Sequence, residues 1–213
     1  FVQRLITGCV LGSFFYVLMI VDPLYSSLML GSVLGLIMLF EWPRFVRGQR
    51  WMLLLSPLYP IAPFIALILL NHNMQNRWFL ALGVIVSATH DIGSYVAGNL
   101  FGRNLIAPAI SPKKTWEGFF GGYILTVMVL FSICRVMGFT PLWYIVLAGG
   151  LILSTTAFFG DLFESWLKRK ALLKDSGVLL PGHGGLLDRF DSIMAVGSLL
   201  LLVSYIFSTY SNR

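Results

Sequence analysis

Apolar stretches about as long as a membrane is thick recur along almost the whole chain. A helix needs about 20 residues to cross the hydrocarbon core of a bilayer. Seven stretches approach that length, and they lie at roughly 4–21, 24–40, 52–70, 78–99, 119–138, 142–163 and 192–210. Because 57% of the residues are hydrophobic and only 11% are charged, a soluble fold would leave much of this apolar surface in water. The sequence therefore predicts an all-α integral membrane protein, a polytopic bundle of about seven transmembrane helices.

The third apolar stretch is the least regular, because it contains Pro57, Pro60 and Pro63. Proline inside a helix removes a hydrogen bond and kinks or breaks the helix. Neighbouring membrane helices can satisfy the backbone groups that are freed in this way. This stretch is compatible with either a kinked transmembrane helix or a re-entrant segment. The number of transmembrane helices can therefore differ from seven by one or two.

The basic residues fall mainly on one side of the predicted bundle. With seven spans, twelve of the fifteen Lys and Arg residues lie on or near one face, and Arg77, Arg135 and Arg213 lie near the other. An excess of Lys and Arg marks the cytoplasmic face of a membrane protein. We therefore expect two long polar loops, about 100–118 and 164–191, in the cytoplasm, where they form the functional site. In a membrane protein the location of the charges matters more than the net charge of +6, so no nucleic-acid partner is expected.

Acidic residues gather where the sixth and seventh spans meet the second polar loop. Asp161 and Glu164 are three residues apart at the end of one span, and Asp188 and Asp191 repeat this spacing at the start of the next. Carboxylates near lipid are costly unless they are paired or bind metal. Two facing acid pairs predict a site for a hard divalent cation, which prefers oxygen ligands. The alternative is a set of salt bridges with Lys168, Arg169 and Arg189.

The loop between the acid pairs is rich in groups that bind phosphate. KRKALLKD, residues 168–175, holds four cations in seven residues, and GHGG follows at 182–185. Lys and Arg neutralise phosphate charge, and glycine lets backbone amides approach an anion closely. His183 is interpreted as a donor to phosphate or a proton carrier, with a structural turn residue as the equal alternative. The pattern favours phosphoryl or nucleotidyl chemistry over a plain electrostatic anchor to lipid headgroups.

Two segments carry a family resemblance. Residues 165–191, SWLKRKALLKDSGVLLPGHGGLLDRFD, resemble the signature of the phosphatidate cytidylyltransferases, with Ser, Lys-Arg, Lys-Asp, His-Gly-Gly and Asp-Arg-x-Asp at matching spacing. Residues 90–122, HDIGSYVAGNLFGRNLIAPAISPKKTWEGFFGG, are similar to a second segment of that family. His90 and Ser94 depart from the family pattern, which expects an apolar or small residue and Ala there. The first 75 residues match only as apolar spans.

The resemblance implies a reaction in which CMP passes from CTP to phosphatidic acid, giving CDP-diacylglycerol and pyrophosphate. It implies Mg²⁺ as cofactor, leaves a second, monovalent cation open, and places the enzyme in a bacterial-type inner membrane with its site facing the cytoplasm. The whole chain, 1–213, is expected to form one membrane domain, with N-terminal apolar helices over 1–75 and catalytic helices and loops over 76–213. A homodimer is also open.

The resemblance and the residue pattern together give a set of candidate site residues. Asp161 and Asp188 are the first choices as metal ligands, and Asp191 and Glu164 are ligands or orienting groups. The candidate catalytic residues are Asp161, Asp188, Asp191, Lys168 and His183. The candidate substrate-binding residues are Ser111, Lys113, Lys114, Ser165, Arg169, Lys174, Asp175, Gly184, Gly185, Arg189 and Asp91. Asp91 is included because it lies within the fourth span, where an ionisable residue is by default functional.

Other functions fit parts of this pattern. A CTP-dependent transferase or kinase acting on a polyprenyl or ether lipid would need nearly the same loops. A transporter would also place Asp91 and His90 in the membrane, but it would not need a long loop rich in phosphate-binding groups. An inactive scaffold is disfavoured, because all the candidate residues are present.

Overall fold

The structure is a computed structural model that describes the backbone of residues 2–72, 76–180 and 184–211. Within these ranges, side chains are described for residue 10 and for residues 12–209. The described chain is a bundle of helices with one small β-hairpin. This architecture confirms the all-α membrane prediction.

The helices follow the predicted apolar stretches closely. In chain order the helices are α1 (Val2–Ile20), α2 (Pro23–Leu36), α3 (Trp42–Gly48), α4 (Met52–Leu55), α5 (Ala62–His72), α6 (Arg77–Phe101), α7 (Trp116–Val136), α8 (Trp143–Lys170) and α9 (Leu187–Ser211). Two π-helical segments, Ile37–Glu41 and Pro57–Ile61, connect α2 to α3 and α4 to α5. Among the residues whose side chains the structure describes, six continuous segments are long and apolar enough to cross a membrane: Pro23–Gly48, Met52–His72, Arg77–Phe101, Trp116–Val136, Trp143–Lys170 and Leu187–Thr209.

The proline-rich stretch forms a bent segment rather than a straight helix. Tyr59 has non-helical dihedral angles (φ −155°, ψ 124°), and α5 resumes at Ala62. Met52–His72 is 21 residues long and counts as one candidate span. The bend follows from the prolines, which interrupt helical hydrogen bonding.

Two helices extend further into the polar region than the apolar pattern indicates. The pattern ends the sixth span near 163 and starts the seventh near 192, whereas α8 continues to Lys170 and α9 begins at Leu187. Basic residues in the last turn of α8 and Asp188 in the first turn of α9 are favourable with respect to the helix dipoles. Both predicted acid pairs therefore lie on helices, as their spacing of three residues predicts.

The first polar loop contains a hairpin that hydropathy does not reveal. β1 (Leu105–Ala107) pairs antiparallel with β2 (Ser111–Thr115), and α7 starts at the next residue. The hydroxyl of Thr115 accepts a hydrogen bond from the amide of Gly118 at 3.1 Å, which caps α7. Glu117 accepts hydrogen bonds from the amides of Arg103 (3.1 Å) and Asn104 (3.2 Å), which ties the hairpin to that helix.

Helices α6 and α7 approach each other through glycine. A Cβ atom on Gly93 would lie 2.7 Å from the carbonyl oxygen of Gly121 and 2.9 Å from the Cα of Gly122. Small residues allow such close packing of helix backbones within a membrane. This contact fixes the position of α6 relative to the hairpin that precedes α7.

The connecting segments divide into two ends of the bundle. Arg169 donates to the carbonyl of Ile110 at 3.1 Å, and Arg44 donates to the carbonyl of Ser176 at 3.2 Å. These contacts bring residues 42–51, 102–115, 171–180 and 184–186 to one end, which we call the polar end. At the other end, Arg77 joins the α1–α2 turn to α5 by donating to the carbonyl of Leu18 at 2.6 Å and to Asn71 at 3.0 Å.

Candidate active site

A cavity of about 450 Å³ opens at the polar end of the bundle. Its walls come from α6, β2, the start of α7, α8, the following loop and α9. Most of the candidate site residues line it: Asp91, Ser111, Lys113, Lys114, Asp161, Lys168, Asp175, Asp188, Arg189 and Asp191. The tertiary structure therefore gathers residues up to a hundred positions apart in sequence around one space.

Asp188 is the most extensively hydrogen-bonded carboxylate of the cavity. Its Oδ1 accepts from the Nζ of Lys168 at 2.6 Å. Its Oδ2 accepts from the amide and hydroxyl of Ser176, at 3.0 and 2.9 Å, and from the amide of Gly185 at 2.9 Å. Only 7% of its side chain is exposed. This network holds the carboxylate in one orientation.

Lys168 links two helices by pairing with two acids. Besides the contact to Asp188, its Nζ lies 3.4 Å from the Oε1 of Glu164, one turn earlier on α8. Glu164 is completely buried, and neither of its carboxylate oxygens has a hydrogen-bond partner among the described residues. The ammonium of Lys168 is therefore the main charge compensation for a carboxylate buried at the α8–α9 contact.

Asp161 faces the opposite wall of the cavity. It forms an ion pair with Lys114 of β2 at 2.9 Å, and its side chain is 34% exposed. Ser165 donates to its Oδ1 at 3.3 Å. Lys114 also lies 4.6 Å from the centre of the Phe158 ring, which places a cation over an aromatic face. The hairpin is thus held against α8 by charge.

Asp191 separates the polar cavity from a second, apolar one. It is 8% exposed and lines both spaces. The second cavity, of about 410 Å³, lies between Tyr59 and Pro63 on one side and α8 and α9 on the other. Its other lining residues are Thr155, Thr156, Phe159, Gly160, Phe163, Met194 and Ala195. The Asp191 carboxylate therefore lies at the boundary between the polar cavity and the apolar cavity.

His90 and Ser94 of α6 also line the polar cavity. His90 and Ser94, the two departures from the expected pattern, lie one helical turn apart with Nε2 and Oγ separated by 3.3 Å. Asp91 and Tyr95 line the same wall. The acid predicted within the fourth span therefore lies beside polar groups, which reduces the cost of placing it in a membrane helix.

Some candidate residues support the site from outside the cavity. Arg169 donates to the carbonyls of Ile110 and Leu173, at 3.1 and 3.3 Å, and so braces the hairpin and the loop. Gly185 uses its amide to hold Asp188, and the carbonyl of Gly184 accepts from the amide of Leu180 at 3.0 Å. Lys174 is exposed in the loop. Ser165 and Glu164 are buried, the first in contact with Asp161 and the second with Lys168. His183 lies outside the described residues.

Three of the four carboxylates predicted as metal ligands form ion pairs with lysines, Asp161 with Lys114 and both Glu164 and Asp188 with Lys168. Among the described residues, no group of three or more His, Cys, Asp or Glu side chains is arranged to hold a metal ion by itself. Mg²⁺, however, is usually bound by one or two carboxylates together with water and substrate phosphates. Asp161, Asp188 and Asp191 all line the cavity, so the oxygen donors present fit that mode of binding.

Sequence reasoning missed Glu41 and Arg44. Glu41 is completely buried at the end of the first π-helical segment, and its carboxylate accepts hydrogen bonds from the amides of Leu186 and Leu187. The signal was present in GSVLGLIMLFEW, where an acid ends a long apolar run. An acid in such a position is a candidate functional residue, but its hydrogen-bond partners lie 135 or more residues away in sequence.

Comparisons with known proteins agree with the geometry. The model of the cytidylyltransferase family matches residues 46–207. The chain is 34% identical over 212 residues to a phosphatidate cytidylyltransferase of Rickettsia bellii, covering 94% of this chain and 89% of that protein. It is 45% identical over 118 residues to the enzyme of that name from Mycobacterium tuberculosis, covering 55% and 35% of the two chains. The enzyme of that name from Staphylococcus epidermidis is 44% identical over 124 residues, covering 58% and 47%.

Proposed function

The chain belongs to the cytidylyltransferase family, and from this premise we propose that it transfers CMP from CTP to phosphatidic acid, giving CDP-diacylglycerol and pyrophosphate. One observation carries the proposal. A single cavity of about 450 Å³ holds carboxylates from three helices together with Lys113, Lys114, Lys168 and Arg189. A site for two phosphate-bearing substrates needs this mixture of metal-binding oxygens and cations.

The reaction joins two anions, so its difficulty is charge repulsion. A phosphate oxygen of phosphatidic acid attacks the α-phosphorus of CTP, the bond to the β-phosphate oxygen breaks, and pyrophosphate leaves. The nucleophile is already ionised and needs little help from a general base. Catalysis then rests mainly on positioning and on charge neutralisation.

The cavity residues divide naturally between these tasks. Lys113 and Lys114, on the hairpin, are in place to bind the triphosphate, and Lys168 and Arg189 reach the same space from α8 and α9. Asp161 and Asp188 would hold Mg²⁺, with Asp191 nearby. When bound, Mg²⁺ would supply neutralisation of phosphate charge. Asp161 would exchange its present contact with Lys114, at 2.9 Å, for the metal, leaving that lysine to bind phosphate.

The second, apolar cavity suits the acyl chains of the lipid acceptor. It is lined largely by apolar and aromatic side chains and meets the polar cavity at Asp191. We assign it to the acyl chains of phosphatidic acid, whose headgroup would then reach the cations. The lipid would enter sideways from the bilayer, whereas CTP would enter from water at the polar end.

The first test of this function is transfer of label from radioactive CTP to lipid in detergent–lipid micelles. Label should enter the lipid phase when phosphatidic acid and Mg²⁺ are present and should be lost on addition of EDTA. Label that requires a different lipid acceptor would keep the nucleotidyl mechanism and replace the substrate. Folded protein that transfers no label to any lipid would contradict the proposal.

The polar end is proposed to face the cytoplasm of a bacterial inner membrane, because it carries most of the Lys and Arg residues. In a background with Cys9 and Cys134 replaced by Ala, cysteines at Lys113 and Lys174 should react with a membrane-impermeant maleimide only from the cytoplasmic side.

A cysteine at Phe139, in the turn between α7 and α8, is the matched control for this labelling. Phe139 is 61% exposed and should label only from the outside. The reverse pattern at the three positions would overturn the proposed orientation.

A further inference from the structure

Glu41 is a buried carboxylate outside the region that the family match covers, which begins at residue 46. It ends the π-helical segment Ile37–Glu41, where the helix widens before α3. Such π-helical turns are rare and occur frequently at functional sites. A fully buried acid is costly unless its charge is compensated by hydrogen bonds.

The compensation comes from the start of α9. Glu41 Oε1 accepts from the amide of Leu186 at 2.6 Å, and Oε2 accepts from the amide of Leu187 at 2.9 Å. The first amides of a helix have no partner within the helix, and a negative charge there is favourable with respect to the helix dipole. A side chain from the segment Pro23–Gly48 therefore caps the helix that carries Asp188 and Asp191.

A second link runs through Ser176. Its hydroxyl lies 3.1 Å from Oε2 of Glu41 and 2.9 Å from Oδ2 of Asp188. A hydroxyl has only one proton to donate, so the two carboxylates share it, while the amide of Ser176 donates to Asp188. Arg44, one turn after Glu41, donates to the carbonyl of the same serine at 3.2 Å.

Two glycines of the α8–α9 loop, Gly177 and Gly185, lie directly against Glu41. A Cβ atom on Gly177 would lie 2.5 Å from Oε1 of Glu41. A Cβ atom on Gly185 would lie 2.7 Å from the same oxygen and would overlap the hydroxyl of Ser176. Glycine at these positions therefore lets the loop close over the carboxylate.

We propose that Glu41 is a positioning residue for the transfer reaction: it anchors Ser176 and the N-terminus of α9, and thereby sets the orientation of Asp188 in the cavity. The proposal rests on the proposed function for its kinetic consequence. It assigns a role in the site to the N-terminal part of the chain, which the sequence pattern treats only as membrane helices.

The test is Glu41→Gln, which keeps the size of the side chain but replaces one acceptor oxygen with an NH₂ group facing a donor. We expect kcat to fall about 10–100-fold, as for other residues that orient metal-binding carboxylates, with little change in the KM for CTP. In the metal-free protein, peptides covering 184–188 should exchange amide hydrogens faster, because Leu186 and Leu187 lose an acceptor.

Asn71→Leu is the matched control. Asn71 is also completely buried and donates to the carbonyl of Pro23 and the hydroxyl of Ser27, each at 2.9 Å, but at the opposite end of the bundle. It should lower thermal stability without changing kcat per folded molecule or exchange in 184–188. Native kcat and native exchange in folded Glu41→Gln would overturn the proposal. An equal loss of kcat in both variants at equal stability would overturn it as well.

If Glu41→Gln does not fold, Ser176→Ala is the variant that tests the link between Glu41 and Asp188. It removes only the shared hydroxyl, so kcat should fall with KM for CTP unchanged, and a native kcat would overturn the link through Ser176. The exchange measurement separates this proposal from the proposed function. If the native protein makes no CDP-diacylglycerol while Glu41→Gln still speeds exchange in 184–188, the anchoring contact stands and the reaction assignment fails.

Discussion

Asp188→Asn is expected to lower the rate of CMP transfer by about 10²–10³-fold, the usual loss when one preorganised electrostatic group leaves an active site. Both carboxylate oxygens are in use, one by Lys168 at 2.6 Å and the other by Ser176 and Gly185. Asn has one acceptor oxygen, so its NH₂ group must face a donor on one side. The substitution also removes the charge that would bind Mg²⁺.

The measurement is CTP-dependent labelling of lipid over a range of Mg²⁺ concentrations. Asp22→Asn is the matched control, because Asp22 caps α2 at the opposite end by accepting from the amide of Leu24 at 2.8 Å. Asn caps helices as well as Asp, so this variant should keep native activity. Native turnover in Asp188→Asn would remove this aspartate from the reaction.

Lys168→Met is expected to have the largest effect on stability, a loss of about 3–5 kcal/mol, as when one partner of a buried ion pair is removed. The variant leaves Glu164, which is completely buried, without its counter-ion and close to Asp188. Transfer activity should fall too, since Lys168 lines the cavity. Thermal unfolding in detergent and the labelling assay measure the two effects separately.

A second substitution distinguishes these effects of Lys168. Adding Glu164→Gln removes the uncompensated charge, so the double variant should regain much of the stability but little of the activity. Lys170→Met is the control for loss of a cation on the same turn, since Lys170 lies 5.9 Å from the centre of the Trp166 ring and forms no part of the cavity. Native stability in Lys168→Met would show that the buried pair contributes nothing to folding.

Local chemical patterns and the family resemblance together predict most of the residues that line the polar cavity. Acids near lipid are unusual, which points to Asp161 and Asp188, and Lys113 and Lys114 stand in a polar loop that is similar to a family segment. The structure brings all four to one cavity. The family and the enzyme class inferred from the two motifs are confirmed by the comparisons.

Secondary structure at the polar end was less predictable. Hydropathy marks where lipid contact stops, but it does not mark where helical hydrogen bonding stops. Thus α8 runs to Lys170 and α9 starts at Leu187, although the apolar signal covers less. The β-hairpin is tied to α7 by Glu117, whose carboxylate accepts hydrogen bonds from backbone amides more than ten positions earlier.

The sequence by itself determined that this chain spans a membrane as helices and that its chemistry involves phosphate, because the cost of burying charge in lipid confines polar groups to a few positions. Only the tertiary structure decided how those groups are oriented. Glu41 looks like an isolated acid in an apolar run until Leu186, Leu187 and Ser176 are packed against it. Hydrogen bonds act over about 3 Å, and those of Glu41 join residues 135 or more positions apart in sequence. Such partners become apparent only when the helices are assembled.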